Sequence, residues 1–143
     1  MPTATPARAP TGRPSPDEYA PYAGADIAAV RGEDAVDALI DLANLSPALF
    51  QSLASLAERG SSYAPGKWTV KQLLGHLIDD ERIFGYRLLC VARGEEAELP
   101  GFDENRYAAL AEFDIRSLES LVEEYRAVRM STLSLLTHLP SAA

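Results

Sequence analysis

The stretch KWTVKQLLGHLIDDERIFGYRLLCVAR, residues 67–93, contains the clearest helix signal in the chain. Thr69 is a favourable N-cap residue, and Gln72 three positions later completes a capping-box pattern. Apolar residues then recur at helical spacing until Gly94, which suits the left-handed position that often follows a helix. The stretch therefore predicts a long helix from Val70 to the residue before this glycine.

The segments on either side of this helix predict two further long helices. Between residues 33 and 58, apolar side chains recur at helical spacing. Pro47 removes an amide donor inside this run, so we expect one helix kinked at the proline, with a new helix starting at Ser46 as the alternative. Residues 117–139 predict a third long helix, and Asp103 is a suitable cap for a short helix in the connection before it.

No part of the chain shows the alternating pattern of a half-buried strand, so the sequence predicts an all-α fold. The length of 143 residues is typical of one domain. Residues 1–16 carry five prolines among Ala, Thr and Arg and offer little to bury, which is typical of a disordered tail. We therefore expect a disordered segment at 1–16 and one helical domain at 17–143.

Charge and composition argue against several classes of function. The net charge is −8 and the sequence pI is about 4.7. Such a surface repels phosphate backbones and anionic membranes, so we expect neither nucleic-acid binding nor membrane binding. The single cysteine, Cys90, rules out an intrachain disulfide framework, and the N-terminus lacks the apolar core of a signal peptide. The cytoplasm is the expected compartment.

One histidine and three carboxylates stand inside the predicted long helix, in the stretch GHLIDDER at 75–82. On a helical wheel, seven apolar residues define one core face: Val70, Leu73, Leu74, Leu77, Phe84, Leu88 and Val91. Glu81 falls inside this face and needs a partner there. His76 and Asp80 lie at its edge, four residues apart, where they can share a metal ion or a hydrogen bond. Asp79 points away from the face and is expected to be solvated.

These residues allow two interpretations. A histidine at the edge of a core is commonly a hydrogen-bonded structural residue, and a carboxylate in a core face commonly pairs with an arginine from another helix. Alternatively, His76 is a metal ligand, with Asp80 and Glu81 as auxiliary ligands or as groups that orient it. Residue chemistry alone leaves both interpretations open.

Residues 63–108 resemble the DinB-like family of metal-dependent proteins. The resemblance rests on four landmarks: APGKW at 64–68, G-H-L-x-D-x-E-R-x-F-x-Y-R at 75–87, ARG at 92–94 and LPGFDEN at 99–105. It implies a four-helix bundle, typically up-down-down-up, with a divalent metal such as Zn or Ni held by three histidines. One of these histidines stands on the second helix, where His76 matches it. The other two form an H-x-x-x-H pair on the fourth helix.

The resemblance also implies a class of activity. Characterised relatives suggest thiol-dependent chemistry, so the family implies a transferase or hydrolase that acts on a small molecule, with a low-molecular-weight thiol taking part. A divalent metal supports such chemistry because it lowers the pKa of a coordinated thiol or water.

The chain departs from the family pattern at the remaining metal ligands. It contains two histidines, and the second, His138, is not part of an H-x-x-x-H pair. No fourth long helix is expected after Pro140. Three protein ligands are the usual minimum for catalytic zinc. We therefore expect an incomplete metal site at His76. We also expect only three of the family's four long helices, and C-terminal truncation is the hypothesis that explains both.

Three amphipathic helices without a fourth would leave an apolar groove, and exposed patches of that size mark interaction surfaces. The groove supports an alternative to the enzyme hypothesis. In this alternative the chain is a non-catalytic helical module that uses the groove to form a homodimer or to bind another partner.

Overall fold

The computed structural model describes residues 12–140. This part of the chain forms six α-helices and no strand, in the order α1 (Gly24–Ala29), α2 (Ala35–Ser52), α3 (Ala54–Glu58), α4 (Val70–Ala92), α5 (Glu104–Leu110) and α6 (Leu118–Thr137). Short 3-10 turns at Pro21–Ala23 and Phe113–Ile115 precede α1 and α6. The prediction of an all-α fold is confirmed.

Part of the segment expected to be a disordered tail is described. Residues 1–11 lie outside the described residues, whereas Arg13 lies within them and forms an ion pair with Glu33, with 3.2 Å between Nε and Oε1. The same guanidinium donates hydrogen bonds to the carbonyl oxygens of Ile27, at 2.8 Å, and Gly32, at 2.8 Å. Residues just before α2 are thereby tied to the segment that precedes α1.

The start of α4 has the geometry that its sequence predicts. The Thr69 hydroxyl accepts a hydrogen bond from the Gln72 amide at 3.1 Å, and the Gln72 side chain accepts one from the Thr69 amide at 3.0 Å. This capping box satisfies two amides that have no partner inside the helix. After α4, Gly94 has a φ of 74°, the left-handed value expected of a residue that follows a helix.

The first long helix continues through Pro47, as expected, but ends before residue 58. Asp34 caps α2 by accepting hydrogen bonds from two amides of the first turn, and α2 then continues through Pro47 to Ser52. The alternative of a new helix at the proline is therefore wrong, and the chain breaks instead at Leu53, between α2 and α3. Pro47 is buried, and Phe50 packs edge-on against Tyr125 of α6 at 5.3 Å between ring centroids. This packing holds the helix together across the lost amide hydrogen bond.

The three long helices are arranged up-down-down. Helix α4 runs parallel to α6, because Arg82 pairs with Glu124 and, further along both helices, Gly85 lies beside Thr132. Helix α2 runs antiparallel to α6: its C-terminal half contacts Tyr125, and earlier residues of α2 line a cleft with Met130. Helix α6 packs against both of the others, whereas α2 and α4 hardly touch each other. The chain therefore forms a layer of three helices with α6 in the middle.

The core lies where α6 meets the other two long helices and α3. Its members from α4 are Leu74 and Ile78, which are 1% and 0% exposed. They pack with residues contributed by the other elements: Phe50, Ala57, Phe113, Leu118, Leu121, Val122 and Tyr125.

The predicted core face of α4 is wrong in part. Leu73, Leu77, Phe84 and Val91 are exposed, with Phe84 at 57% and Val91 at 69%. The face that meets the core is centred instead on Leu74, Gly75 and Ile78. A glycine allows a neighbouring helix to approach closely, but it adds no apolar side chain to a helical wheel. The mean direction of the wheel therefore points toward the four exposed apolar residues and away from the side that holds Gly75.

Seven of the exposed apolar residues lie in two stripes, one on α4 and one on α2. The α4 stripe consists of Leu73, Leu77, Phe84 and Val91, and the α2 stripe consists of Leu42, Leu45 and Leu49. Helical periodicity places the α2 stripe on the flank opposite Asn44, which lines the outer cleft between α2 and α6. On α4, the stripe lies on the flank next to Glu81, whose partner Arg129 lies over Tyr125, the α6 residue that packs against α2. We infer that both stripes face the space between α2 and α4.

Over residues 12–140, every helix is either too short or too polar to cross a lipid bilayer.

Candidate metal centre

His76 and Asp80 form a pair on the surface of α4. The Nε2 atom of His76 lies 3.3 Å from Oδ2 of Asp80, and the two side chains are 18% and 30% exposed. Residues four apart on a helix are neighbours, so the helix itself brings the two groups together. A histidine nitrogen and a carboxylate oxygen are both ligands that zinc and nickel accept.

The His76 ring is held in place by an aromatic neighbour. The indole of Trp68 packs on it at 4.6 Å between ring centroids, with the planes at 51°. Trp68 immediately precedes the N-cap of α4, so the capping box that starts the helix also fixes the position of this ring. The arrangement restricts how the imidazole can turn.

Asp80 has an oxygen with no partner. Its Oδ1 atom is buried and forms no hydrogen bond with the described residues. Burial raises the pKa of this carboxyl and Glu104 raises it further, against the opposing charges of His76 and Arg87. A buried carboxylate oxygen without a partner is costly, and a cation or a hydrogen-bond donor at this position would remove the cost.

Glu81 is engaged by an arginine, as one of the two interpretations expects. Its Oε2 atom lies 2.8 Å from Nη2 of Arg129 on α6, and both side chains are about 90% buried, at 10% and 9% exposed. The Arg129 guanidinium also lies over the ring of Tyr125 at 5.3 Å. Within residues 12–140, one carboxylate oxygen of Glu81 and two nitrogens of Arg129 have no hydrogen-bond partner. The pair joins α4 to α6 beside the groove.

Asp79 is less exposed to solvent than the helical wheel predicts. It is half-buried, and burial raises the pKa of its carboxyl, with Arg82 acting in the opposite direction and Glu124 in the same one. The prediction for Asp79 fails for the same reason as the predicted core face. The side of α4 that contacts α6 is rotated away from the mean direction of its apolar residues, toward Asp79. Asp79 belongs to the charged border of that contact.

The described residues do not by themselves make a complete catalytic metal centre. Between residues 12 and 140 no three His, Cys, Asp or Glu side chains are placed so that they could hold one ion, and three protein ligands are usual for catalytic zinc. The other histidine, His138, follows α6, and its Nδ1 atom lies 2.8 Å from the Ser134 carbonyl oxygen. A metal site at the His76–Asp80 pair would therefore need further ligands.

Two neighbours of the pair were not identified by sequence reasoning, Trp68 and Glu104. Both stand in the quoted landmarks, in APGKW and LPGFDEN. Their presence in a landmark is the signal that could have found them. Their closeness to α4 depends on how the connections fold back, which local sequence does not reveal.

Between residues 12 and 140 the protein is a bundle of helices that carries a histidine–carboxylate pair on its second long helix. The sequence profile of the DinB superfamily matches residues 38–143, so the chain belongs to the DinB superfamily. No curated protein matches the chain significantly, and no solved structure does.

Proposed function

We propose that this protein is a metal-dependent enzyme of the DinB superfamily, a thiol-dependent transferase or a hydrolase of small molecules. In this proposal His76 and Asp80 bind a divalent ion such as Zn or Ni. The observation that carries the proposal is the pair itself, with 3.3 Å between Nε2 and Oδ2 and a second carboxylate oxygen that is buried and unpartnered. The cytoplasm suits a protein with one cysteine and an acidic surface.

The remaining ligands of the ion would come from a polypeptide that packs along the α4 stripe. His76 and Asp80 fall on the shoulder of α4 next to this stripe, so a segment or a second protomer in the groove would bring its own side chains close to them. Two ligands hold a metal weakly, so the proposal predicts that affinity rises when the groove is filled.

Metal titration of purified, metal-stripped protein tests the proposal. In calorimetry we expect one Zn²⁺ or Ni²⁺ ion to bind per chain. His76→Ala and Asp80→Asn should each weaken this binding by about tenfold or more. His138→Ala is the matched control and should bind as the unchanged protein does. Binding that survives His76→Ala, or is lost equally in His138→Ala, would contradict the assignment.

A second candidate function is a non-catalytic module that associates through the groove. The observation that favours it is the pair of exposed stripes, in which Leu45 of α2 is 67% exposed and Val91 of α4 is 69% exposed. Such surfaces are characteristic of interaction sites, and we propose a second copy of the chain as the partner. Sedimentation of metal-stripped protein, combined with the metal titration described above, separates the candidates. A stable dimer that binds no metal in the titration supports the module, and a protein that binds metal supports the enzyme.

A further inference from the structure

A depression of about 290 Å³ lies on the flank of α4, apart from the groove. One wall is formed by Ile83, Tyr86 and Arg87 of α4, and the other by the segment 99–107, including Phe102 and Tyr107. This segment contains the LPGFDEN landmark. The function proposed above uses none of these side chains.

Specific contacts hold the two walls together. Nη2 of Arg87 donates a hydrogen bond to the Pro100 carbonyl oxygen at 2.8 Å, and its guanidinium lies over the Phe84 ring at 5.0 Å. On the other wall, the rings of Phe102 and Tyr107 pack at 5.4 Å between centroids. The depression thus has two packed aromatic rings on one wall and an arginine anchored to the opposite wall on the other.

The depression lies close to the His76–Asp80 pair along the helix. Ile83 stands three residues and Arg87 seven residues after Asp80, so all three share one face of α4 on successive turns. A molecule bound in the depression would therefore occupy the turn next to the Asp80 carboxylate.

The lining favours a ligand with two parts. Aromatic and aliphatic side chains suit a flat apolar body. Arg82 and Arg87 add two positive charges, and among the residues that the structure describes no carboxylate side chain lines the depression. One nitrogen of Arg82 is engaged by Glu124 and one of Arg87 by Pro100, so each guanidinium has further donors to offer an anion.

We propose that this depression binds a small aromatic carboxylate, with its ring between Tyr86 and Tyr107 and its carboxylate toward Arg87. As a substrate pocket it rests on the function proposed above, because the metal pair would then act on a molecule held one turn away. As a binding site it stands on the lining alone.

Titration of metal-stripped, ¹⁵N-labelled protein with benzoate tests the proposal by NMR. We expect saturable shifts of amides in residues 82–87 and 99–107, and weaker binding of benzyl alcohol, which has the ring without the charge. Arg87→Gln should weaken benzoate binding about fivefold and benzyl alcohol binding less, because loss of the bond to Pro100 affects both ligands and loss of the charge affects only benzoate. Tyr107→Ala should weaken both, and Arg93→Gln, at the exposed end of α4, is the control that should change neither.

Several results would overturn the proposal: shifts confined to the two stripes, equal affinities for benzoate and benzyl alcohol, or unchanged benzoate binding in both Arg87→Gln and Tyr107→Ala. The spectrum of each variant shows whether it is folded, and Arg87→Lys, which keeps the charge, should retain most of the benzoate affinity. His76→Ala should leave this titration unaltered, so the metal proposal and the pocket proposal can fail independently.

Discussion

At the scale of single residues, Gly75 shows how closely α4 approaches its neighbours. A Cβ atom built at this position would lie 2.3 Å from atoms of the Phe113 ring. Phe113 is itself buried in the core, so its ring has little room to move away. The glycine is therefore required by packing, even though glycine weakens a helix interior.

We predict that Gly75→Ala destabilises the protein by about 1–3 kcal/mol, the range expected for overpacking a core. Gly85→Ala is the matched control on the same helix, because its Cβ would meet Thr132 at an ordinary 3.5 Å. The control should be neutral or stabilising by up to about 1 kcal/mol, since alanine favours the helix. Urea unfolding followed by circular dichroism measures both, and equal stability of the two variants would refute the argument.

At the scale of elements, a charged clamp joins α4 to α6. The Glu124 carboxylate is held by Arg82 of α4, at 2.6 Å, and by Arg116 just before α6, at 2.5 Å. Burial alone would raise the pKa of this carboxyl, but the hydrogen bonds from Arg116 and Arg82 outweigh it and lower the pKa below its usual 4.5. The clamp therefore stabilises the folded state when Glu124 is ionised.

The lowered pKa of Glu124 fixes the direction of a pH effect. Because the folded-state value lies below the unfolded one, the stabilisation is complete above about pH 4.5 and is lost as the pH falls through the folded value. At pH 7, Glu124→Gln should be less stable by about 1 kcal/mol. This difference should shrink toward zero on acidification, as urea midpoints between pH 7 and pH 3 would show.

The control for this effect is Glu119→Gln, on the exposed side of α6. It should follow the pH dependence of the unchanged protein. A Glu124→Gln difference that stays constant down to pH 3 would mean that the clamp does not contribute through its charge. Asp79 and Asp80 have raised pKa values and act in the opposite direction, so the comparison is made between variants at the same pH.

Helix positions were the part of the fold that local sequence predicts best. The capping residues of α4 and α5, Thr69 and Asp103, both accept the amide hydrogen bonds expected of them. The break at Leu53 was missed because it carries no proline or glycine. The helix continues through Pro47, as expected, because burial of the surrounding turn outweighs the local effect of the proline. Local signals fix where a helix starts, and tertiary packing decides whether it continues.

At the scale of the whole molecule, the two stripes predict self-association. We expect the purified protein to form dimers whose population rises with concentration in sedimentation velocity. Replacing Leu45 and Leu49 together by Gln should weaken the dimer at least about tenfold, since each loses apolar area from the contact. Ile115→Gln, which alters an exposed apolar residue away from both stripes, is the control. A protein that remains monomeric at high concentration would contradict self-association.

The sequence predicted the class of fold, but not which face of α4 meets α6. The apolar residues of α4 cover two directions, one buried against α6 and one exposed, and a wheel averages them. The ion pair of Glu81 was anticipated in kind, because a carboxylate on a core face needs a partner, but its partner Arg129 could not be named. Pairing between helices depends on their relative rotation, which a single helix does not encode.

The central position of α6 has a consequence for the order in which the protein can fold during synthesis. The ribosome completes α2 and α4 before α6, yet these two helices make few contacts with each other. Neither can bury its apolar face until residues 118–137 have left the exit tunnel, and isolated helices of this length are marginal in water. We therefore expect α2 and α4 to fold only after α6 has emerged, and to remain a substrate for chaperones until then.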